Sequence, residues 1–147
     1  MKVVKRIILI AGLLILGSFL IGPNTEPSVP VIKAGKVDIS STRGSYCWKG
    51  PFSGTCVDKA LSSSMDMARE YKPVEVAPNS KIKIHLKKEP IQGSLTAERW
   101  TDEKNSQTAE ISNEEFIVPN QSGIYAYHIF ARWKNGDASY AFLIEVK

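Results

Sequence analysis

Hydrophobic and polar positions alternate most clearly near the C-terminus. From Gly123 to Trp133, Tyr125, Tyr127, Ile129, Ala131 and Trp133 fall on one face, and Ala126, His128, Phe130 and Arg132 on the other. A period of two marks a strand, because successive side chains leave opposite faces of the backbone. Asn135-Gly136 follows, a dipeptide whose two positions tolerate positive φ and so signal a tight hairpin. The chain returns with Tyr140, Phe142, Ile144 and Val146 on one face and Ser139, Ala141, Leu143 and Glu145 opposite. The pattern predicts a long antiparallel hairpin with one strongly apolar side.

Shorter alternations lie upstream. Ile82, Ile84 and Leu86 oppose Lys81, Lys83 and His85, and Val74 and Val76 flank Glu75 before the Pro78-Asn79 turn. Leu95 to Thr101 reads as a strand in which Trp100 breaks the alternation, which predicts a bulge or a rim position. Phe116 to Val118 predicts a short strand closed by Pro119, and Val37 to Ser40 and Ser45 to Trp48 add two weaker ones. Seven or so short strands separated by turn signals predict a β-sandwich. One segment follows the helical period instead. Leu61, Met65 and Ala68 share a helical face, with Asp58 as cap and Lys72-Pro73 as stop, so one short surface helix is expected between Lys59 and Tyr71. The fold expected is mainly β, an antiparallel sandwich with one short helical insert.

The first 22 residues obey a different pattern. Lys2, Lys5 and Arg6 precede an apolar run from Ile7 to Ile21, and the chain turns polar at Pro23-Asn24. That is the layout of a signal peptide or signal anchor with its positive flank inside. The run of about fifteen residues falls short of the roughly 20 that cross a bilayer comfortably, and Val3 and Val4 with snorkelling Lys5 and Arg6 bring it near that length. No small-x-small pair sits cleanly after the run, and no cysteine is there to carry a lipid. The expectation is therefore an N-terminal hydrophobic helix that anchors the chain in the membrane, single-pass with the N-terminus inside. A cleaved and secreted form is the alternative. Residues 1–22 are the signal or anchor, 23–35 a linker in which Val31-Ile32 could start an edge strand, and 36–147 the domain. About 125 residues beyond the leader suit one domain with one core.

Charge changes the picture little. Three of the 19 basic residues belong to the leader, leaving 16 against 15 acidic ones, so the rest of the chain is close to neutral. No Lys/Arg stripe with interleaved aromatics occurs, and no nucleic-acid partner is expected.

The run Ser122-Gly123-Ile124-Tyr125 resembles the tyrosine-corner region of immunoglobulin-like domains, where a Gly-x-Tyr opens the penultimate strand. The resemblance implies a tyrosine hydroxyl bonded back to the chain at the corner between sheets. This sequence departs from the antibody pattern, because Tyr127 stands where the inter-sheet cysteine would be. Gly44-Ser45-Tyr46-Cys47-Trp48, followed by Cys56 and Asp58, is also similar to small uncharacterised exported proteins of Gram-positive bacteria. In those a Ser-Tyr-Cys-Trp motif precedes a comparable hairpin. That resemblance spans Val31 to Lys147 and implies a fold and an extracytoplasmic location, without an activity.

Cys47 and Cys56 enclose a Gly-, Pro- and Ser-containing stretch able to turn back on itself, and exported proteins with two cysteines usually pair them. The expected disulfide would contribute roughly 2–3 kcal/mol by restricting the unfolded chain. A redox pair would more often be Cys-x-x-Cys at a helix start. A metal would need two more ligands, and only His85 and His128 exist, so neither metal nor cofactor is expected. The disulfide loop carries the candidate binding residues Tyr46, Trp48, Lys49 and Phe52, with Arg43 just before. Aromatics and cations on a cross-linked loop suit recognition. The competing reading packs Tyr46 and Trp48 beneath the loop as a small core. Arg99-Trp100 is a weaker second patch.

No catalytic residues are assigned. No Gly-x-Ser-x-Gly elbow and no phosphate-cradling glycine loop occur, and Glu114-Glu115 are adjacent in an expected loop. The function expected is a non-enzymatic, extracytoplasmic binding module contacting an envelope protein, a peptide or a cell-wall polymer. One alternative is a small hydrolase, which would bring His85 or His128 within reach of a carboxylate and a hydroxyl. Another is a sensory or immunity domain.

Overall fold

A computed structural model describes residues 26–59 and 63–147. The expected signal or anchor helix, and Leu61, lie outside the described residues. Among the described residues no helix is long and apolar enough to cross a membrane.

The C-terminal hairpin forms as its alternation predicts and organises everything else. β10 (Gly123–Trp133) and β11 (Gly136–Val146) pair without interruption from Gly123↔Val146 to Trp133↔Gly136. Eleven residues per strand make a ribbon of about 35 Å. The turn differs from expectation by one position. The loop residues are Lys134-Asn135, neither at positive φ, and Gly136 is already in the strand. Gly136 is needed for a different reason: a Cβ there would lie 2.0 Å from the Cys47 carbonyl oxygen.

Seven strands, among the described residues, build the larger sheet around this ribbon. The order is β4 (Gly54–Val57), β3 (Thr42–Lys49), β11, β10, β7 (Thr96–Trp100) and β8 (Ser106–Ala109). β5 (Val74–Val76) runs parallel to the end of β11, occupying the edge that β3 leaves free. The smaller sheet is β2 (Val37–Ile39), β1 (Val31–Ala34), β6 (Lys81–His85) and β9 (Glu115–Ile117). β1 is thus an interior strand rather than an edge strand at the end of a linker. The folded unit starts before residue 36, since Val31 already pairs with His85.

The two sheets pack face to face on the alternating positions read from the sequence. Ile32, Ile82, Ile84 and Phe116 of the small sheet meet Tyr127, Ile129, Tyr140, Phe142 and Ile144 of the large one, all within one buried cluster. Phe116 and Tyr127 rings lie 4.6 Å apart across the gap, and Tyr127 stacks on Phe142 at 5.4 Å. Each such side chain stabilises by roughly 1.5–3 kcal/mol through burial. The Tyr125 hydroxyl donates to the Gln121 carbonyl at 2.9 Å, tying the start of β10 back to the preceding loop.

β11 is buried on both faces because a third layer covers half of the outer one. Helix α1 (Ser64–Ala68) is shorter than expected and is capped by Ser63, whose hydroxyl accepts from the Asp66 amide, and not by Asp58. It is only in part a surface helix, since Met65, Met67 and Ala68 pack on Ala126, Ala141 and Leu143, with Trp100 half-buried beside them. This explains Trp100 without a bulge. β7 pairs with β10 in continuous register from Thr96 to Trp100, and Trp100 simply faces the helix while Ala97 faces the core. The irregularity sits elsewhere. Ala138 pairs with Tyr46 but Tyr140 pairs with Arg43, so β3 carries one extra residue opposite Ser139. That bulge places Gly44 under the helix, where a Cβ would lie 2.4 Å from Ser139 Oγ and 2.6 Å from Met67 Sδ.

Candidate binding surface around the cystine

β3 and β4 are held as a hairpin with Cys47 directly opposite Cys56, and the two form the expected disulfide. The bond lies on the exposed outer face of the large sheet, since Tyr46 and Trp48 point inward. A disulfide of this kind points to maturation in an oxidising, extracytoplasmic environment.

The five candidate binding residues part company. Tyr46 and Trp48 are 6% and 5% exposed and belong to the main core. Trp48 meets Trp133 edge-on at 5.4 Å, and the Trp133 indole N–H donates to the Lys88 carbonyl at 2.9 Å. They therefore support the loop and offer it no contact surface. Arg43 is half-buried and already engaged, donating to the Pro27 carbonyl at 2.9 Å and to the Glu26 carboxylate, with its guanidinium 4.9 Å from the Tyr46 ring centre. Only Lys49 and Phe52 remain outside, Phe52 at 94% exposure. The Gly50 amide donates to the Ser53 carbonyl at 2.7 Å, leaving Pro51-Phe52 as the outermost pair of the tip.

The structure instead brings together a group that sequence spacing does not reveal. Helix α1 stops short of the hairpin end, and the remaining outer face of the large sheet forms a groove of about 470 Å³ beside the cystine. Its floor is Phe130, His128 and Ser139, with Asp137 between β3 and β10, and its wall is the cystine with Ser45 and Asp58. The Arg132 guanidinium lies 5.9 Å from the Phe130 ring centre. The alternation of β10 already carried half of this signal, because it put His128, Phe130 and Arg132 on one face. The partner strands β3 and β11 had to be known to supply the rest.

Hydroxyls in the groove are committed to the scaffold. Ser45 Oγ donates to Asp58 at 2.9 Å and accepts from the Lys59 amide, and Ser139 Oγ donates to the Ser45 carbonyl at 3.2 Å. The His128 imidazole makes no hydrogen bond or ion pair among the described residues. Burial lowers its pKa below the ordinary 6.5, opposed by the Glu98 carboxylate paired across from it on β7. It is therefore a neutral aromatic at physiological pH. His85 is exposed on the small sheet, and Glu114 and Glu115 lie where β9 begins, Glu115 in contact with Lys81 at 3.5 Å. Arg99 and Trp100 do not form one patch. Arg99 faces the core side, 5.7 Å from the Tyr125 ring centre and bonded to Gln107, whereas Trp100 lies under the helix. Among the described residues no cluster of three or more His, Cys, Asp or Glu could hold a metal ion.

Comparison of the chain with protein-family models, with curated proteins and with solved structures finds no match in any of the three.

Proposed function

We propose that this chain is an immunoglobulin-like, extracytoplasmic binding module that is tethered to the membrane by its N-terminal apolar run and contacts an envelope protein or peptide through the groove beside the cystine. The fold reading is supported by the order of the last seven strands. β5, β11, β10, β7 and β8 lie side by side with β6 and β9 on the facing sheet, and Tyr125 bonds back to Gln121 where the corner tyrosine is expected. The location reading is supported by the disulfide and by the positive-then-apolar leader.

One observation carries the functional reading. Half of the large sheet's outer face is sealed by α1, and the other half leaves a neutral histidine, a phenylalanine and a cystine lining an open groove. A rigid floor of apolar and aromatic groups with Asp137, Arg132 and Asp58 at its margins is what a protein or peptide contact uses. The wall polymer is the less favoured ligand, since the groove lining is apolar in its greater part.

Affinity recovery from envelope fractions tests this with the full chain. Phe130→Ala is expected to lower recovery of the partner by about tenfold or more, the weight of one good aromatic contact. Phe52→Ala is the control at the tip. Loss with Phe52→Ala alone would move the contact to the tip, and equal recovery by both variants and the wild type would reject the groove.

A further inference from the structure

Four lysines gather at one end of the molecule with their side chains turned outward. Lys49 ends β3, Lys134 sits in the β10–β11 turn, and Lys87 and Lys88 follow β6; all four are exposed. Among the described residues none of the four takes part in an ion pair, whereas Lys33 pairs with Asp38, Lys81 with Glu115, and Lys147 with Glu75 and Glu145. The loops that carry them are fastened to one another. The Lys49 amide donates to the Asn135 carbonyl at 2.7 Å, and the Ile91 amide donates to the Arg132 carbonyl at 2.7 Å. Lys88 Nζ stands 6.0 Å from the Trp48 ring centre, and Trp48 packs on Trp133. At this same end protrude the two apolar side chains Phe52, 94% exposed, and Ile91, 45% exposed. Glu89 adjoins them in sequence, Asp137 shares a cavity with Lys49, Arg132 and Lys134, and Glu26 is paired with Arg43, so this end stays net positive.

The N-terminal segment of the described chain arrives at this end too. Glu26 and Ser28 line one small cavity together with Lys87, Lys88, Trp48 and Trp133. Ser28 is fixed there by the Tyr140 hydroxyl, which donates to its carbonyl at 2.8 Å, and Glu26 by Arg43. Four residues lie between Ile21, the last residue of the apolar run, and Glu26, and the five steps along the chain reach at most about 18 Å. Charges at that distance from a surface are within one or two screening lengths of it.

We infer that this end is a lipid-contact surface, in which Lys49, Lys87, Lys88 and Lys134 meet the phosphates of an anionic bilayer and Phe52 enters the headgroup layer. The inference rests on the anchor reading for the orientation of the domain, but its own chemistry is separate. Each lysine near an anionic surface strengthens the contact by about fivefold. An aromatic flanked by snorkelling lysines is the side-chain set that lies in an interface. The cystine-bound hairpin presents Phe52 without the ordering cost of a free loop. With the pole on the membrane, the groove beside the cystine opens sideways along the sheet.

Flotation of the full chain with vesicles of phosphatidylcholine alone, or with about a third phosphatidylglycerol, tests it together with amine labelling read by mass spectrometry. If the chain is anchored it floats with both, and Lys49, Lys87, Lys88 and Lys134 are expected to label at least about fivefold more slowly on the anionic vesicles. Lys36 and Lys104, in turns at the other end of the strands, are expected to label alike on both. If the chain stays below neutral vesicles, the anchor reading fails, and the surface is then read by flotation with anionic vesicles alone. Lys49→Glu with Lys134→Glu, which spares the backbone hydrogen bonds, should abolish the lipid dependence in either case. Equal labelling, or equal flotation without an anchor, on both lipids overturns the inference. So does equal protection of the four lysines on neutral vesicles by soluble poly(glycerol phosphate), which would make a wall-type polyanion the occupant.

Discussion

Three of the four core tyrosines, Tyr125, Tyr127 and Tyr140, are chemically alike and energetically different. Tyr125 and Tyr140 each donate a hydrogen bond to a backbone carbonyl, Gln121 at 2.9 Å and Ser28 at 2.8 Å. The Tyr127 hydroxyl is buried beside the Arg99 guanidinium, which pulls its pKa down against the effect of burial, but among the described residues neither it nor Arg99 Nε meets a partner at full hydrogen-bond geometry. A buried hydroxyl without a partner costs about 1–3 kcal/mol of desolvation, whereas a satisfied one contributes about 1 kcal/mol net. Tyr127→Phe is therefore expected to leave stability unchanged or raise it by up to ~1 kcal/mol, while Tyr140→Phe loses about that much. Urea denaturation of the two variants separates them, and a clear loss with Tyr127→Phe would mean the hydroxyl is satisfied. The same residues set the alkaline limit. Burial pushes both hydroxyls from 10.0 up to about 12, so the unfolded chain ionises first. Their contribution is intact below pH 10 and is lost as pH rises from there through about 12. Tyr127→Phe removes part of that decline.

At the scale of elements, legibility followed the side-chain period. β10, β11 and β6 could be read directly because their large apolar residues recur at every second position, even though β11 is buried on both faces. β4 and β8 could not, since Gly54–Cys56 and Ser106–Thr108 are exposed on both faces and only pairing to a neighbour makes them strands. The helix was visible as a period but not as a layer. Ala126, Ala141 and Leu143 look like the small or incidental residues of a solvent face until Met65 and Met67 are placed on them. The groove was hidden for the same reason: its residues come from β3, β10 and β11, and register decides which of them meet. Gly44 joins these two facts. It lets β3 bulge opposite Ser139 and lets Met67 approach the sheet. Gly44→Ala is expected to cost about 1–3 kcal/mol, the penalty of overpacking, with the loss read first as faster hydrogen exchange in α1. Met67→Ala in the same chain should return part of the loss, because the Met67 Sδ and Cε are two of the three atoms the new methyl meets. An unchanged midpoint for Gly44→Ala would show that the helix is not seated on the sheet.

As a whole, the molecule is a seven-strand unit, β5 to β11, to which the first four strands add from opposite sides. β1 and β2 extend the small sheet beyond β6, and β3 and β4 extend the large sheet beyond β11. This division predicts how the cystine acts. Cys47 and Cys56 cross-link two neighbours within one added hairpin, so the bond restrains the edge of the large sheet and no pairing between the sheets. Both cysteines are exposed, which leaves a reductant free to reach the bond without unfolding the core. Reduction, or paired Cys47→Ser and Cys56→Ser replacement, is expected to lower stability by about 2–3 kcal/mol through the freedom returned to the unfolded chain. Because β10 and β11 hold each other along eleven residues, their amides should keep their protection while those of β4 lose it. The groove wall and the Phe52 tip belong to the hairpin that loosens, so partner recovery and lipid protection should both fall in the reduced protein. Uniform loss of protection from β4 through β11 would show instead that the hairpin is part of one cooperative unit, and that the cystine guards the fold rather than the surface.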